Sequence, residues 1–359
     1  MHTSNRRFFM KRVTILLGIL SLLVLSLVPV VNVAAQEISS VCLVTDVGRV
    51  NDGTFNQFAF EGMQRAAEEF NLDSTFIETQ AQTDYETNIN TCVNEGFDIV
   101  VTVGFLIADA TRAAAEANPD VFFIGVDQFF EDSPPNLVGI QYREDQAGFL
   151  VGALAALIAD DDASVAGVYG IAIPPVVKFR NGYEQGVRYI NERFGKNVST
   201  LGVYIDDFVA PDRGAAAAEQ FAGEGNVQVI FGAGGPTGSG GILWAAQNGI
   251  LAIGVDQDEY FTTFGGGETP GAENLISSAM KRVDVGVFEM IRALVEGDTS
   301  FVEGDLFILD VANGGIDFAP PHDADVPAEI TGIVSVVRDA LAAGLDTGVD
   351  PVSGELLEG

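Results

Sequence analysis

From residue 40 onward, short runs of apolar residues alternate with helix-length segments whose apolar positions recur every three or four residues. The first run, 41–45, precedes an amphipathic segment at 56–70. Further runs stand at 74–78, 99–103 and 122–126, with helical patterns at 84–95 and 107–118 between them. Val, Ile and Phe fill these runs without alternation, which predicts strands buried on both faces, as in a parallel sheet covered by helices on either side. The rhythm then returns: strands are predicted at 164–168, 198–204, 227–231 and 251–255, and helices at 176–193, 213–222 and 241–248. The chain therefore reads as α/β, with two doubly wound parallel-sheet lobes.

An internal echo ties the two halves together. Phe123-Ile124-Gly125-Val126-Asp127-Gln128 is matched by Ala252-Ile253-Gly254-Val255-Asp256-Gln257, 129 residues later. Each aspartate stands where an apolar strand ends, and open α/β sheets bind ligands beyond the carboxyl ends of their strands. Facing lobes would gather Asp127, Asp256 and Asp46, at the end of the first strand, around one cleft. The remaining pattern is a strand at 274–278, a helix at 283–295, short strands near 306–309 and a helix at 328–343. It fits a chain that recrosses between lobes and builds a multi-strand hinge. The expected division is 1–35 a signal peptide, 38–141 with about 279–305 as lobe 1, 142–278 with about 306–345 as lobe 2, and 346–359 a C-terminal tail.

The N-terminus changes the setting. A basic stretch holding Arg6, Arg7, Lys11 and Arg12 precedes an apolar run at 13–28, and Val33-Ala34-Ala35 supplies the small residues of a cleavage site, so export is expected. A retained membrane anchor is the competing reading, because the run is nearly long enough to span a bilayer. Without that segment, 14 Lys and Arg stand against 51 Asp and Glu, a net charge of −37. Such a surface repels phosphate backbones and anionic lipid heads; nucleic acid is excluded as a partner and a neutral or cationic small molecule is favoured. A monomer is expected. Cys42 and Cys92 permit a disulfide in an exported chain, or equally two buried thiols. His322 is the sole histidine outside the signal segment, so a catalytic triad, a two-histidine-one-carboxylate site and a Cys/His zinc cluster cannot be assembled. No catalytic residue, metal or cofactor is expected, and the chain reads as a binding protein rather than an enzyme.

Three segments carry candidate chemistry. The glycine-rich stretch from Gly232 to Gly241 matches neither the dinucleotide nor the P-loop pattern, because Thr237 falls where the first needs Gly and Gly241 where the second needs Lys. Gly234 and Gly235 can still offer backbone N–H groups at a helix start, or form a plain helix-entry turn. Asp127 and Asp256 could each be a helix cap, but their repetition favours ligand contacts, since a carboxylate accepts hydrogen bonds from vicinal hydroxyls. Asp52 and Asp207 are ambiguous. Phe55, at the start of the first helix, can stack on a planar group or act as a hydrophobic staple.

The loop Thr45-Asp46-Val47-Gly48 through Asp52-Gly53-Thr54-Phe55-Asn56-Gln57, with Glu61-Gly62, resembles the opening of the basic membrane protein family, the PnrA-like substrate-binding proteins of ABC transporters. The resemblance continues through Val103-Gly104-Phe105, Asn118-Pro119-Asp120, Asn136-Leu137-Val138-Gly139, Gly148 to Gly152, Gly234-Gly235 with Gly238, Gly254-Val255-Asp256 and Lys281-Arg282-Val283-Asp284. It implies a type I periplasmic-binding-protein fold that closes on a purine nucleoside and delivers it to an ABC permease. By matching position, Asp46 would read the base edge beside Asn56, Phe55 and Phe208 would sandwich the base, and Asp127, Asp256 and Lys281 would hold the ribose. Gly234 and Gly235 would be backbone contacts, and Phe179 is a weaker alternative for the second stack. The chain departs from the family at Val47, where a polar residue is common, at the cleavage site, which lacks the lipoprotein cysteine, and at Gly265-Gly266-Gly267, which lengthens the path to Lys281. A sugar or other small polar ligand is the alternative, and a nucleoside-processing enzyme a distant one.

Overall fold

A computed structural model describes residues 38–298 and 306–357; the expected signal segment lies outside them. In chain order, the strands are β1 (Ser40–Val47), β2 (Asp73–Thr79), β3 (Ile99–Val103), β4 (Phe122–Val126), β5 (Leu137–Tyr142), β6 (Ser164–Tyr169), β7 (Ser199–Tyr204), β8 (Val227–Ala233), β9 (Leu251–Asp256), β10 (Leu275–Lys281), β11 (Phe307–Leu309) and β12 (Ile316–Phe318). They form two six-stranded sheets of the same plan, β11-β5-β4-β3-β1-β2 and β12-β10-β9-β8-β6-β7. Pairing is parallel throughout except between β10 and β12. This is the doubly wound, two-lobed α/β architecture that the sequence predicts.

The helices are α1 (Phe55–Phe70), α2 (Tyr85–Asn94), α3 (Ala108–Ala117), α4 (Glu144–Ile158), α5 (Pro174–Phe194), α6 (Pro211–Glu224), α7 (Gly235–Gln247), α8 (Val283–Val295) and α9 (Ala328–Ala342). In α1 the buried positions Phe58, Ala59, Gly62, Met63, Ala66 and Ala67 form one stripe, and Asn71 in the left-handed region ends the helix. Two prolines open α5 and Gly195, with φ of 69°, closes it. Among the described residues no helix is long and apolar enough to cross a membrane.

Four features differ from the sequence expectation. β5 and α4 escape the periodicity because both are buried nearly all round, so neither has a polar face to mark its period. Helix α7 begins at Gly235 rather than at 241, its first turns disguised by glycine and Pro236. The short strand β11 pairs with β5 in the first sheet, whereas the sequence division puts residues from about 306 in lobe 2. The stretch read as a tail is docked: Thr347 Oγ1 donates to Asp145 at 2.6 Å, Asn181 Nδ2 donates to Gly354 O at 2.6 Å, and Val349 pairs with Leu356. A disulfide joins Cys42 in β1 to Cys92 in α2, which decides the alternative left open above.

The chain passes between lobes at three places: Tyr142 to Glu144, Lys281 to Val283, and Leu309 to Ile316. The first two passages repeat one device. Arg143 grips Asp145 through two N–H groups at 2.8 Å, and Arg282 grips Asp284 at 2.8 and 2.9 Å. Beyond the first passage, α4 and α5 meet backbone to backbone. A Cβ added at Gly148 or Gly152 would overlap main-chain atoms of Phe179 and Tyr183, and one added at Gly182 or Gly186 would overlap those of Asp145 and Phe149. Only glycine allows this approach.

Candidate ligand-binding cleft

The carboxyl ends of β1 and β4 in lobe 1 face those of β9 and β10 in lobe 2 across one cavity. All nine residues singled out from the sequence line it: Asp46, Phe55, Asn56, Asp127, Phe208, Gly234, Gly235, Asp256 and Lys281, with Phe179 and Val47 also on its wall. The repeat seen in the sequence extends to the backbone, because Asp127 and Asp256 both leave their strands with positive φ, 60° and 66°. Aspartate tolerates this region better than most side chains, and it turns each carboxylate back over the end of its sheet.

Asp46 is held from three sides. Its Oδ1 accepts from Tyr85 Oη and from Val47 N at 2.6 Å, while its own amide donates to Asn56 Oδ1 at 3.1 Å. Burial pushes its carboxyl up to about 6, against the pull of those two donors. Gly104, with φ of 103°, makes room for it: a Cβ there would lie 2.5 Å from Asp46 Oδ2. Asn56 is engaged within lobe 1 at both ends, donating from Nδ2 to Asp52 Oδ2 at 2.9 Å. Asp52 itself resolves as a cap, accepting from the amides of Thr54, Asn56 and Gln57 at 2.9 to 3.1 Å. Asp207 makes a local turn with Val209 N at 2.8 Å.

The glycines serve the aromatic ring beside them. Cβ atoms built at Gly170 and Gly234 would lie 2.5 and 3.5 Å from the Phe208 ring, so both glycines let that ring lie against the backbone. Thr237 N donates to Phe208 O at 3.1 Å and fixes the turn. Across the cavity Phe55 opens α1. The Lys281 ammonium lies 4.9 Å from its ring centroid, 4.8 Å from that of Tyr142 and 5.9 Å from that of Phe179.

Lys281 is the centre of a buried charge network. Its Nζ donates to Asp127 Oδ2 at 2.6 Å and lies 2.8 Å from Glu144 Oε1, and Glu144 Oε2 lies 2.6 Å from Lys178 Nζ. Lys178 also donates to Tyr142 O at 2.9 Å. Burial alone would lower the lysine's pKa, but Asp127, Glu144 and Asp256 outweigh it and hold the ammonium above its ordinary value. Asp127 keeps Oδ1 buried without a hydrogen-bond partner, and the Asp256 side chain makes no hydrogen bond among the described residues. Burial pushes Asp256 up to about 8, with Asp127 adding and Lys281 opposing.

The lobes also touch directly. Gln257 Nε2 donates to Thr54 O at 3.2 Å, and Thr262 Oγ1 donates to Gly53 O at 2.8 Å. Gln257, Thr262, Tyr85, Glu144 and Lys178 escape sequence reasoning. One signal could have exposed Glu144: Tyr142-Arg143-Glu144-Asp145 stands in the same relation to its sheet as Lys281-Arg282-Val283-Asp284.

Two sheets of one plan, a three-passage hinge and a polar-and-aromatic cleft between the lobes define a solute-binding protein, which captures a small molecule between its lobes. The chain belongs to the Bmp family, described as ABC transporter substrate-binding protein PnrA-like, which matches residues 39–331. It is similar to a Listeria monocytogenes protein named "CD4+ T-cell-stimulating antigen", 30% identical over 277 residues, 72% of this chain and 74% of that one. It is also similar to the "ABC transporter nucleoside-binding protein BmpA" of Lactococcus lactis, 27% identical over 313 residues and 84% of each chain. Among solved structures, an ABC transporter solute-binding protein from Aeropyrum pernix superposes with a TM-score of 0.75 at 26% identity, over 85% of this chain and 92% of that one. The chain is thus the substrate-binding component of an ABC transporter and not an enzyme, and such components work outside the cytoplasm with a permease.

Proposed function

We propose that the cleft closes on a purine nucleoside and presents it to the permease. The observation that carries this reading is a pairing of features: aromatic rings from opposite lobes, Phe55 and Phe208, beside two buried strand-end carboxyl groups, Asp127, whose Oδ1 has no partner, and Asp256, whose side chain makes no hydrogen bond among the described residues. A planar base suits the gap between rings, and vicinal ribose hydroxyls suit the carboxylates. Asp46 has Oδ2 left for the base edge, and although burial pushes its carboxyl up to about 6 it is still mainly a carboxylate at neutral pH and can meet a donor there. Asp46, Asp52, Asp127, Glu144 and Asp256 outnumber Lys178 and Lys281 in and beneath the cleft, which disfavours a phosphorylated ligand. The Lactococcus relative's name gives a nucleoside as that protein's ligand, and the reading extends it to this chain. The chain is further read as an exported monomer.

Titration calorimetry of the chain without residues 1–35 against inosine, guanosine, hypoxanthine, ribose and inosine monophosphate tests this. Saturable binding of nucleosides, tighter than of base or ribose alone and lost with the monophosphate, is expected. Phe208→Ala should weaken nucleoside binding by about 1–3 kcal/mol, the range of one base–aromatic stack. Ribose bound as tightly as inosine would replace the nucleoside with a sugar.

A further inference from the structure

We infer that Glu144, balanced by Lys178, is a positioning residue that holds the Lys281 ammonium away from Asp256 and so keeps that carboxylate free for the ligand. The ligand used to test this rests on the nucleoside reading; the geometry does not.

An ammonium has three N–H groups. Lys281 meets Asp127 at 2.6 Å and Glu144 at 2.8 Å, inside a ring of Phe55, Tyr142 and Phe179. Of these two carboxylates, only Asp127 lines the cleft; Glu144 is fully buried beneath it. Asp256 lines the cleft too, and is close enough to act on Lys281 through its charge, yet makes no hydrogen bond to it. Without Glu144, the partners left to Lys281 are Asp127 and Asp256. A single cation would then bridge the two acceptors that the ligand's hydroxyls need, and those hydroxyls would have to displace it.

Glu144 can compete for the ammonium because it cannot move or lose its charge. It sits in the first turn of α4, directly after the first passage between lobes, and the glycine contacts fix α4 against α5, which carries Lys178. Burial would raise its carboxyl, but Lys178 and Lys281 outweigh burial and hold it below its ordinary value. Lys178 is held in turn by Glu144 at 2.6 Å and by Tyr142 O at 2.9 Å. One carboxylate thus links the hinge to the ligand-facing lysine.

Glu144→Gln alone would strand Lys178 as a buried uncompensated cation, so the informative variant is Glu144→Gln/Lys178→Met, which keeps charge and volume balanced. Two measurements are made on it and on wild type. The first is the titration of the Asp256 carboxyl by carbon NMR in the absence of ligand. It should fall by a unit or more in the double variant, as Lys281 swings to it, and an unchanged Asp256 overturns the inference whatever the ligand proves to be. The second is affinity for inosine and for 2′,3′-dideoxyinosine. Inosine should weaken at least about tenfold, the scale of a lost charged hydrogen bond, with the dideoxy analogue unchanged. Equal losses for both ligands mean a merely structural role and also overturn it. Glu144→Asp keeps the counter-charge for Lys178 and serves if the double variant does not fold; it should shift both readouts in the same direction by less. Failure of wild type to bind either nucleoside would refute the nucleoside reading and leave the Asp256 titration to decide the role of Glu144.

Discussion

Asp256 should stabilise the complex while destabilising the empty protein, and Asp256→Asn separates the two effects. Its carboxyl has an ordinary value of 3.8 and is pushed up to about 8 in the cleft, chiefly by burial. A raised value means that the fold prefers the protonated form, so this group's contribution is complete below about pH 4 and is lost as pH rises towards 8. At about 1.4 kcal/mol per pH unit, the loss is roughly 2 kcal/mol by pH 5 and roughly 4 kcal/mol by pH 7. Asn has nearly the same shape and does not titrate. The empty Asp256→Asn protein should therefore exceed wild type at pH 7 by up to about 4 kcal/mol, several degrees in melting temperature, and the advantage should halve at pH 5. Affinity should move the other way, because a ligand hydroxyl loses an ionised acceptor worth about 1.5–3 kcal/mol, less the roughly 1.4 kcal/mol that ionising a carboxyl pushed up to about 8 costs at pH 7, a net loss of up to about tenfold. Thermal melts between pH 5 and 8, paired with inosine titrations at pH 7, read both effects. A stability difference that does not change with pH would refute the account of Asp256 as a carboxyl held out of water. A stabilised variant with undiminished affinity would take Asp256 out of the site.

Two further perturbations test the scaffold around the cleft. Gly104→Ala places a Cβ 2.5 Å from Asp46 Oδ2 at a φ of 103° and should cost at least tenfold in nucleoside affinity, whereas Gly96→Ala, at a φ of 86° with nothing within 4 Å of the new Cβ, should carry a similar backbone cost and leave affinity unchanged by calorimetry. Reducing the Cys42–Cys92 bond, which spans 50 residues of sequence, should lower stability by about 4 kcal/mol on the chain-entropy estimate, read by denaturant unfolding with and without reductant, while inosine affinity holds because neither cysteine lines the cleft.

Much of this fold is legible in the sequence because buried parallel strands are written as plain apolar runs. β3 and β4 are predicted to the residue, and α8 likewise, since its apolar stripe has a polar complement. The same logic fails for α4, where apolar residues surround the helix and no period stands out, and for β12, three residues long and too short to carry a pattern. In the cleft, Asp127 and Asp256 are legible because the chain repeats them. Phe208 is reached only through the family resemblance, as its loop has no periodicity and its support comes from Gly170 and Gly234 across the sheet edge. Glu144 and Lys178 are hidden for a different reason. Each looks like an ordinary charge at a helix start, and only the three-dimensional meeting of the first passage with α5 makes them one unit.

The glycine contacts between α4 and α5 also limit how such a chain can change over evolutionary time. Where main chain meets main chain at these glycines there are no side chains to exchange, so substitution there offers no graded series of alternatives, only glycine or collision. Diversification towards new solutes is channelled instead into the loops that line the cleft, such as those carrying Val47 and Phe208. The lobe interior can stay constant while the rim drifts, and relatives should differ most where a ligand enters and least where the helices touch.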